Sequence, residues 1–463
     1  LIPPMRFSHF FFLGSWFFAS FLPLWAQNVD SIGGQPLPPQ PYTSSLSRID
    51  AVEVGGSLGN VLVMDQYQRA WTSGTSLSNV IFSLRHRTLS DSTDIFAHDY
   101  HYPTWGLSLQ WANLSRATMQ KPASSAWGQL QPVDYASHPG HLLALVGSFS
   151  RPFQRSSWGE WGYSIEEGFA FNTHPYNKKN NADNELTGSS LLFHFGASLY
   201  GELRLSSRFS LRADLAFRHV SNGATYRPNK GANMWQPTLA LQYELQHTSL
   251  RKGAMKSEIF EHSNKRNTME SGVFSKSSPY FCQFSPHWFV HLEGNLGMRT
   301  LLEEWLRTQY QTSPTLPDYR TDHFKRYFVY NLQADVMRRY ARRWAVGAGL
   351  DVFALPYVDE LRNYAPHHGE GRKYTPLSLG IALKHESYYQ RLSSYVHVGY
   401  YLLRETGGLP STDETPYYER VGLRYHLGSI SQGLKHHGMT LSLGIKAHKL
   451  KADFAEIGIG WDF

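Results

Sequence analysis

The sequence predicts an all-β fold, an antiparallel transmembrane β-barrel of the outer-membrane type with about 14–16 strands, on three observations. Apolar and polar residues alternate with period two along most of the 463-residue chain. Aromatic content is high, 14%, while mean hydropathy is −0.40, a pairing that suits strands whose lipid-facing and lumen-facing residues average out. Beyond the N-terminal stretch, no apolar run reaches the roughly eighteen residues a membrane helix needs.

The N-terminal stretch reads as a leader. Met5-Arg6 precedes "FSHFFFLGSWFFASFLPLWAQ", a basic start, an aromatic apolar core and a small residue at Ala26, so residues 1–26 are expected to be a signal peptide cut after Ala26. An N-terminal membrane anchor is the alternative, disfavoured by the short apolar run. Residues 27–47, with "GGQPLPPQPYTSS", read as a disordered periplasmic lead. The single cysteine, Cys282, leaves no internal disulfide, so an exported fold must be held otherwise, as a barrel is by pairing every strand edge.

Strands are then expected at 49–62, 78–87, 104–112, 141–153, 159–171, 188–206, 208–221 and 235–248, and at 287–299, 325–340, 342–354, 375–386, 390–403, 417–428, 438–448 and 452–463. In the last of these, Ala455, Ile457, Ile459, Trp461 and Phe463 share one face and Glu456, Gly458, Gly460 and Asp462 the other. In "SYVHVGYYLL", Val396, Val398, Tyr400 and Leu402 oppose Tyr395, His397, Gly399 and Tyr401. Tyr and Trp near strand ends suit interfacial girdles. The stretch 249–285 is polar and mixed in charge, too long to sit in hydrocarbon. It divides the chain into a part at 48–248 and the remaining strands at 286–463. It either projects from one barrel or separates two; one barrel is expected, because the same strand cadence resumes after it.

Lys+Arg exceed Asp+Glu by 44 to 37, a weak basic excess that suits an anionic, phosphate-rich membrane surface. No dense basic stripe or nucleic-acid motif is present, so no nucleic-acid partner is expected. There is no Gly-x-Ser-x-Gly elbow, phosphate-cradling loop or dinucleotide fingerprint.

The chemistry-bearing stretch is "LAFRHVSNGATYRPNKGANMW", residues 215–235. Leu211, Ala213, Leu215 and Phe217 form an outward apolar series, with Arg212, Asp214 and Arg218 on the other face; the outward series continues into His219 and Ser221. At i and i+2 on a strand, the two side chains share a face with Cα atoms roughly 6.6–7 Å apart. A serine beside an imidazole is the minimum for nucleophilic acyl transfer, and Asn222 and Gly223 offer a side-chain amide and a freely oriented N–H for an oxyanion hole. The outward position matters: a soluble substrate would not approach there, whereas a membrane lipid lies alongside. The competing reading is a rim turn built on Asn222-Gly223, with His219 and Ser221 incidental.

"FRHVSNGATYRPNKGAN" resembles the signature of the lipid A 3-O-deacylase (acyloxyacyl hydrolase-like) family of outer-membrane β-barrels: His-x-Ser-Asn near a strand end, then Pro-Asn-x-Gly before the next strand. "YPTWG" (Tyr102 to Gly106) and "EEGFAFNTHPY" resemble upstream segments of longer members, so the likeness covers about residues 48–246. The second half is similar more loosely, through its cadence and "KAHKLKADFAEIGIGW". The resemblance implies an outer-membrane esterase that removes an ester-linked 3-hydroxyacyl chain from lipid A of lipopolysaccharide. It implies Ser221 as nucleophile, His219 as general base and Asn222 with Gly223 as oxyanion donors, with no cofactor and no metal. A terminal aromatic strand further implies recognition by the barrel insertion machinery.

The family's third triad member is a glutamate fourteen residues after the histidine; here that position is Asn233. Asparagine can hold an imidazole in one tautomer by accepting its N–H, but it cannot stabilise an imidazolium by charge, so a slower enzyme is implied. Asp214 has the wrong parity to substitute, and Glu167 and Glu185 are acceptors the sequence does not place. The alternative function is a catalytically inactive structural or transport barrel, porin-like, that retains the signature. Elsewhere, His367, His368 and Glu370, and the pair His436 and His437, invite a metal reading that their spacing disfavours. His448, Asp453 and Glu456 read as hairpin or lumen polar residues, and Arg212, Arg218, Arg338, Arg342 and Arg343 as lumen or rim ion-pair members.

Overall fold

The computed structural model describes residues 49–88, 95–124, 131–245, 284–364, 373–407, 415–430 and 435–463. The expected leader, the lead at 27–47, Cys282, nearly all of the 249–285 stretch, and His367, His368 and Glu370 lie outside these residues. Strands β1 to β8 are Ala51–Leu62, Ser76–Arg87, Thr104–Asn113, His141–Arg155, Gly159–Asn172, Leu191–Arg204, Phe209–Ser221 and Ala232–Glu244. Strands β9 to β16 are His287–Thr300, Arg326–Ala341, Trp344–Ala354, Tyr374–Tyr389, Leu392–Thr406, Tyr417–His426, His436–His448 and Lys451–Asp462. All pairs are antiparallel, and the all-β transmembrane barrel class and its sixteen long strands stand as the alternation predicts.

The closure differs from expectation. Instead of one sixteen-stranded barrel there are two of eight. Strand β8 turns back onto β1, with Leu241 opposite Val54 and Met234 opposite Val61, and closes β1–β8 into a barrel. Strand β16 likewise pairs with β9, with Ile459 opposite Gly294, closing β9–β16. Alternation tells each strand which side faces outward but not which distant strand it pairs with, so the cadence is the same for one barrel or two. The polar stretch after β8 therefore joins barrels rather than strands of one barrel.

Eight strands leave an interior just wide enough for side chains, and both lumens are filled with paired charges. In the first, Arg85 pairs with Glu53 (2.9 Å), Arg87 with Glu202 (3.1 Å), Arg212 with Asp214 (2.8 Å) and Arg218 with Glu166 (2.9 Å). In the second, Lys384 pairs with Asp335 (2.6 Å), Arg420 with Glu456 (2.7 Å), Arg424 with Glu386 (2.6 Å) and Lys446 with Asp453 (2.6 Å). Burying such groups is tolerable only because each is paired. The outward faces are apolar and exposed, as at Leu215, Leu239, Tyr400, Ile457 and Ile459. Among the described residues no helix is long and apolar enough to cross a membrane.

At one end the strands join mostly through short turns, at 156–158, 205–208, 342–343 and 390–391, with 88–103 longer; at the other they join mostly through long connections, 114–140, 173–190 and 301–325, with 449–450 short. Outer-membrane barrels carry short periplasmic turns and longer external loops, which sets the second end outward. The barrels touch at both ends. On the periplasmic side, Arg342 Nε lies 2.6 Å from Asp99 Oδ2, Tyr100 donates to the Tyr388 carbonyl (3.0 Å), and Tyr389 packs edge-on against Trp105. On the external side, Tyr176 donates to the Arg320 carbonyl (2.7 Å) and Thr300 to the Ala224 carbonyl (3.0 Å).

Candidate active site

The site forms where β7 leaves the membrane. Arg212 and Arg218 are drawn into the lumen by Asp214 and Glu166, which fixes the parity of the strand. Leu211, Ala213, Leu215, Phe217, His219 and Ser221 consequently face outward, with Ser221, 6% exposed, the last residue of the strand. Asp214 faces the lumen, as its parity requires. Connection 222–231 then returns the chain into β8, whose register sets Asn233 directly opposite His219.

Across that register His219 Nδ1 lies 2.8 Å from Asn233 Oδ1. An amide oxygen can only accept, so this bond puts the proton on Nδ1 and leaves the lone pair on Nε2. The far edge of the ring lies over Gly231, the residue level with Ser221: a Cβ on Gly231 would stand 2.5 Å from His219 Cε1 and 3.2 Å from Nε2. Gly231, with φ of +74°, is thus a residue on which the ring's position depends, and sequence reasoning gave it no role beyond its place in Pro-Asn-x-Gly. The other motif residue, Asn229, accepts the Asn222 N–H at 2.9 Å. The motif contained the signal for both; what it lacked was the register that brings Gly231 against the imidazole and Asn229 against the Asn222 N–H.

With its backbone N–H taken by Asn229, Asn222 offers its side chain. That amide is 1% exposed, and neither Oδ1 nor Nδ2 has a hydrogen-bond partner among the described residues. A buried unpaired amide costs about 1–3 kcal/mol, and such costs persist where a ligand will complete the bond. Gly223 and Ala224 both adopt left-handed backbone, φ +63° and +65°. Ser221 and the ring edge of His219 face out at the external end, with Phe193 cross-strand from Ser221 and Phe195 cross-strand from His219.

The two other carboxylates considered for the acid position lie elsewhere. Glu185 accepts from Tyr67 (3.2 Å) and Tyr310 (3.3 Å) and pairs with Lys121 and with Lys230 (3.1 Å). Burial pushes its carboxyl up, but Lys121 and Lys230 outweigh that and hold it down at about 2. Its segment supports the site through the backbone: the Lys230 and Gly231 N–H groups donate to the Glu185 and Leu186 carbonyls at 3.1 and 2.9 Å. Glu167 faces outward on β5 at the level of His219, two strands away, with Phe195 between them.

Of the remaining candidates, His448 meets Tyr401 (2.9 Å), Asp453 meets Lys446, and Glu456 meets Arg420, all in the second lumen. Arg342 and Arg343 hold Asp99 at the rim, while Arg338 faces outward over Trp288. His436 is buried and His437 exposed, so the pair divides between faces. The second lumen also contains a Ser–His–Asp geometry: Ser393 Oγ is 3.0 Å from His426 Nε2, and His426 Nδ1 is 2.9 Å from Asp462 Oδ2. Ser393 also donates to Glu386 at 2.8 Å, which commits its single hydroxyl proton and makes it a member of the ion network.

Fold and site together define an outer-membrane β-barrel protein with an outward-facing Ser–His–Asn row at its external rim. Residues 83–242 match the family described as lipid A 3-O-deacylase (PagL), and residues 290–463 match the one described as acyloxyacyl hydrolase, C-terminal domain, one for each barrel. The chain belongs to the lipid A 3-O-deacylase family.

No curated protein matches the chain. Among solved structures, the outer membrane enzyme PagL is similar at 14% identity over 41% of this chain and 97% of its own, with a TM-score of 0.24. A triple mutant of Rhodopseudomonas blastica porin is similar at 9% identity over 90% and 100%, TM-score 0.15. Pseudomonas aeruginosa OccK5 (OpdH) is similar at 8% over 89% and 97%, TM-score 0.16. Likeness at that level carries no weight beside the two family matches.

Proposed function

We propose that the chain is an outer-membrane lipid A deacylase, a serine esterase that removes an ester-linked 3-hydroxyacyl chain from lipopolysaccharide. Ser221 attacks the acyl carbonyl while His219 Nε2 takes its proton. The oxyanion is held by the Asn222 side-chain amide and the Gly223 N–H. His219 returns the proton to the departing sugar oxygen, and water, activated by the same imidazole, frees the fatty acid from Ser221. No cofactor is needed. Residues 1–26 direct export, and the barrel insertion machinery assembles the strands in the outer membrane.

The observation that carries this reading is the bond from His219 to Asn233 on the outward face, which puts the proton on Nδ1 and the lone pair on Nε2, the nitrogen assigned to Ser221. The external position of the rim supports it, because lipopolysaccharide occupies the outer leaflet. The competing reading, a barrel that keeps the signature without turnover, has the neutral Asn233 in its favour; filled lumens oppose its transport form. Incubating the purified protein with lipopolysaccharide and weighing lipid A by mass spectrometry is the test. Loss of one 3-hydroxyacyl mass is expected for wild type and not for Ser221→Ala. Loss that persists in Ser221→Ala rejects the mechanism.

A further inference from the structure

We propose that the second barrel is part of the active site's frame, with Thr300 and Ala455 as positioning residues for the turn Asn222–Gly223–Ala224. The inference rests on the deacylase reading above and adds to it a role for the barrel that carries none of Ser221, His219 or Asn233.

The turn is closed by local bonds but strained. It contains two consecutive left-handed residues, and one of them, Ala224, has a Cβ that disfavours that region. Such conformations persist only where their surroundings over-determine them. The turn's own bonds, from the Thr225 N–H (3.3 Å) and hydroxyl (2.8 Å) to the Asn222 carbonyl, close the loop around Gly223 and Ala224, and the Asn222 N–H bonds Asn229, but none of them holds the Ala224 carbonyl.

The hold on the Ala224 carbonyl comes from the other barrel. Its carbonyl accepts both the N–H (2.9 Å) and the hydroxyl (3.0 Å) of Thr300, the last residue of β9. The Thr300 carbonyl in turn accepts from Arg227 at 3.1 Å, so the two segments hold each other reciprocally. Tyr226, the residue before Arg227, donates to the Asp322 carbonyl and meets the Phe324 ring edge-on. On the other side of the turn, Ala455 at the start of β16 closes the space over Gly223: a Cβ there would stand 2.9 Å from the Ala455 methyl and 3.2 Å from Phe193. The contact is local. Ala455 is 8% exposed and the next outward residue of the same strand, Ile457, is 59% exposed.

The consequence is chemical. An oxyanion hole works only while its donors stand where charge develops, and a displacement near 1 Å costs about a hundredfold in rate. Both donors assigned above belong to this turn. The second barrel therefore acts on kcat rather than on substrate affinity.

The test uses the full-length protein in detergent micelles with lipopolysaccharide, reading kcat, KM and the hydrogen exchange of a peptide spanning 220–226. Thr300→Val removes one of the two bonds and is expected to lower kcat about tenfold, with KM within about twofold and exchange accelerated in that peptide alone. Thr300→Ser keeps the hydroxyl and is expected to restore both readings. Ala455→Leu presses on Gly223 from the opposite side and is expected to lower kcat in the same way. Unchanged kcat in Thr300→Val and Ala455→Leu overturns the proposal, whether or not exchange accelerates, because the contact is then structural only. A wild type that releases no acyl chain, indistinguishable from Ser221→Ala, overturns the deacylase reading and the positioning role with it; accelerated exchange then leaves Thr300 as a fastening between barrels.

Discussion

At residue scale the departure that bears on the proposed deacylase's rate is Asn233. Its amide oxygen selects the Nδ1–H tautomer as a carboxylate would, at 2.8 Å, but brings no charge to an imidazolium forming beside it. Asn233→Asp keeps the shape and adds the charge, and Asn233→Glu restores the family's residue. Either is expected to raise kcat at least about tenfold with KM within about twofold, measured by timed release of fatty acid. A fall in kcat for both would mean that the imidazole is not oriented from this side. Gly231 supports the same ring sterically. Gly231→Ala sets a methyl 2.5 Å from His219 Cε1 and strains a φ of +74°, so activity is expected to fall about a hundredfold while the heat-modifiable gel shift of the folded barrel persists. His219, Ser221 and Asn222 were legible in sequence because period two and a signature motif mark them locally. Gly231 and Asn229 were legible only as motif letters, and Thr300 and Ala455 not at all, since nothing near them in sequence refers to the turn they touch.

At element scale, strands and loops answer to different physics. The strands lie within a few residues of where alternation sets them, because each is specified by its own inward charges and outward apolar residues. Arg218 shows the inward half: it donates to both Glu166 oxygens at 2.9 Å and to Gln236 at 2.6 Å. Arg218→Ala strands the Glu166 charge in the lumen and is expected to cost about 3 kcal/mol in urea unfolding from micelles. Arg218→Met paired with Glu166→Gln is expected to recover most of that. The connection 173–190 depends instead on Glu185, whose carboxyl lies at about 2 in the fold and near 4.5 when the chain is open. A lowered carboxylate stabilises the fold above its ordinary value and loses that contribution as pH falls through the folded one. The stability gap between wild type and Glu185→Gln is therefore expected to be widest at neutral pH and to close from about pH 4.5 towards about 2. A gap that does not change over that range would remove Glu185 from the role of fastening the loop.

At the scale of the whole molecule, closure decides what the chain can be. One barrel of sixteen strands would enclose water, and the polar stretch after β8 would be one of its loops; two of eight enclose only side chains. That distinction was not readable in sequence, because pairing Val54 with Leu241 depends on residues far apart in the chain, whereas the repeating pattern is local. The second barrel shows why such an interior is expected not to conduct. Lys384 and Arg420 both reach Asp351, at 3.1 and 3.3 Å, and Arg424 spans Glu293 and Glu386 at 3.0 and 2.6 Å, so paired charges cross the bore. An ion entering would have to displace groups whose desolvation is already met by each other. Planar bilayers holding the purified protein are accordingly expected to show no steady conductance steps in concentrated potassium chloride, with or without lipopolysaccharide. Porin-sized steps, unchanged in His219→Ala, would mean that the lumens open in the membrane and would favour transport over hydrolysis.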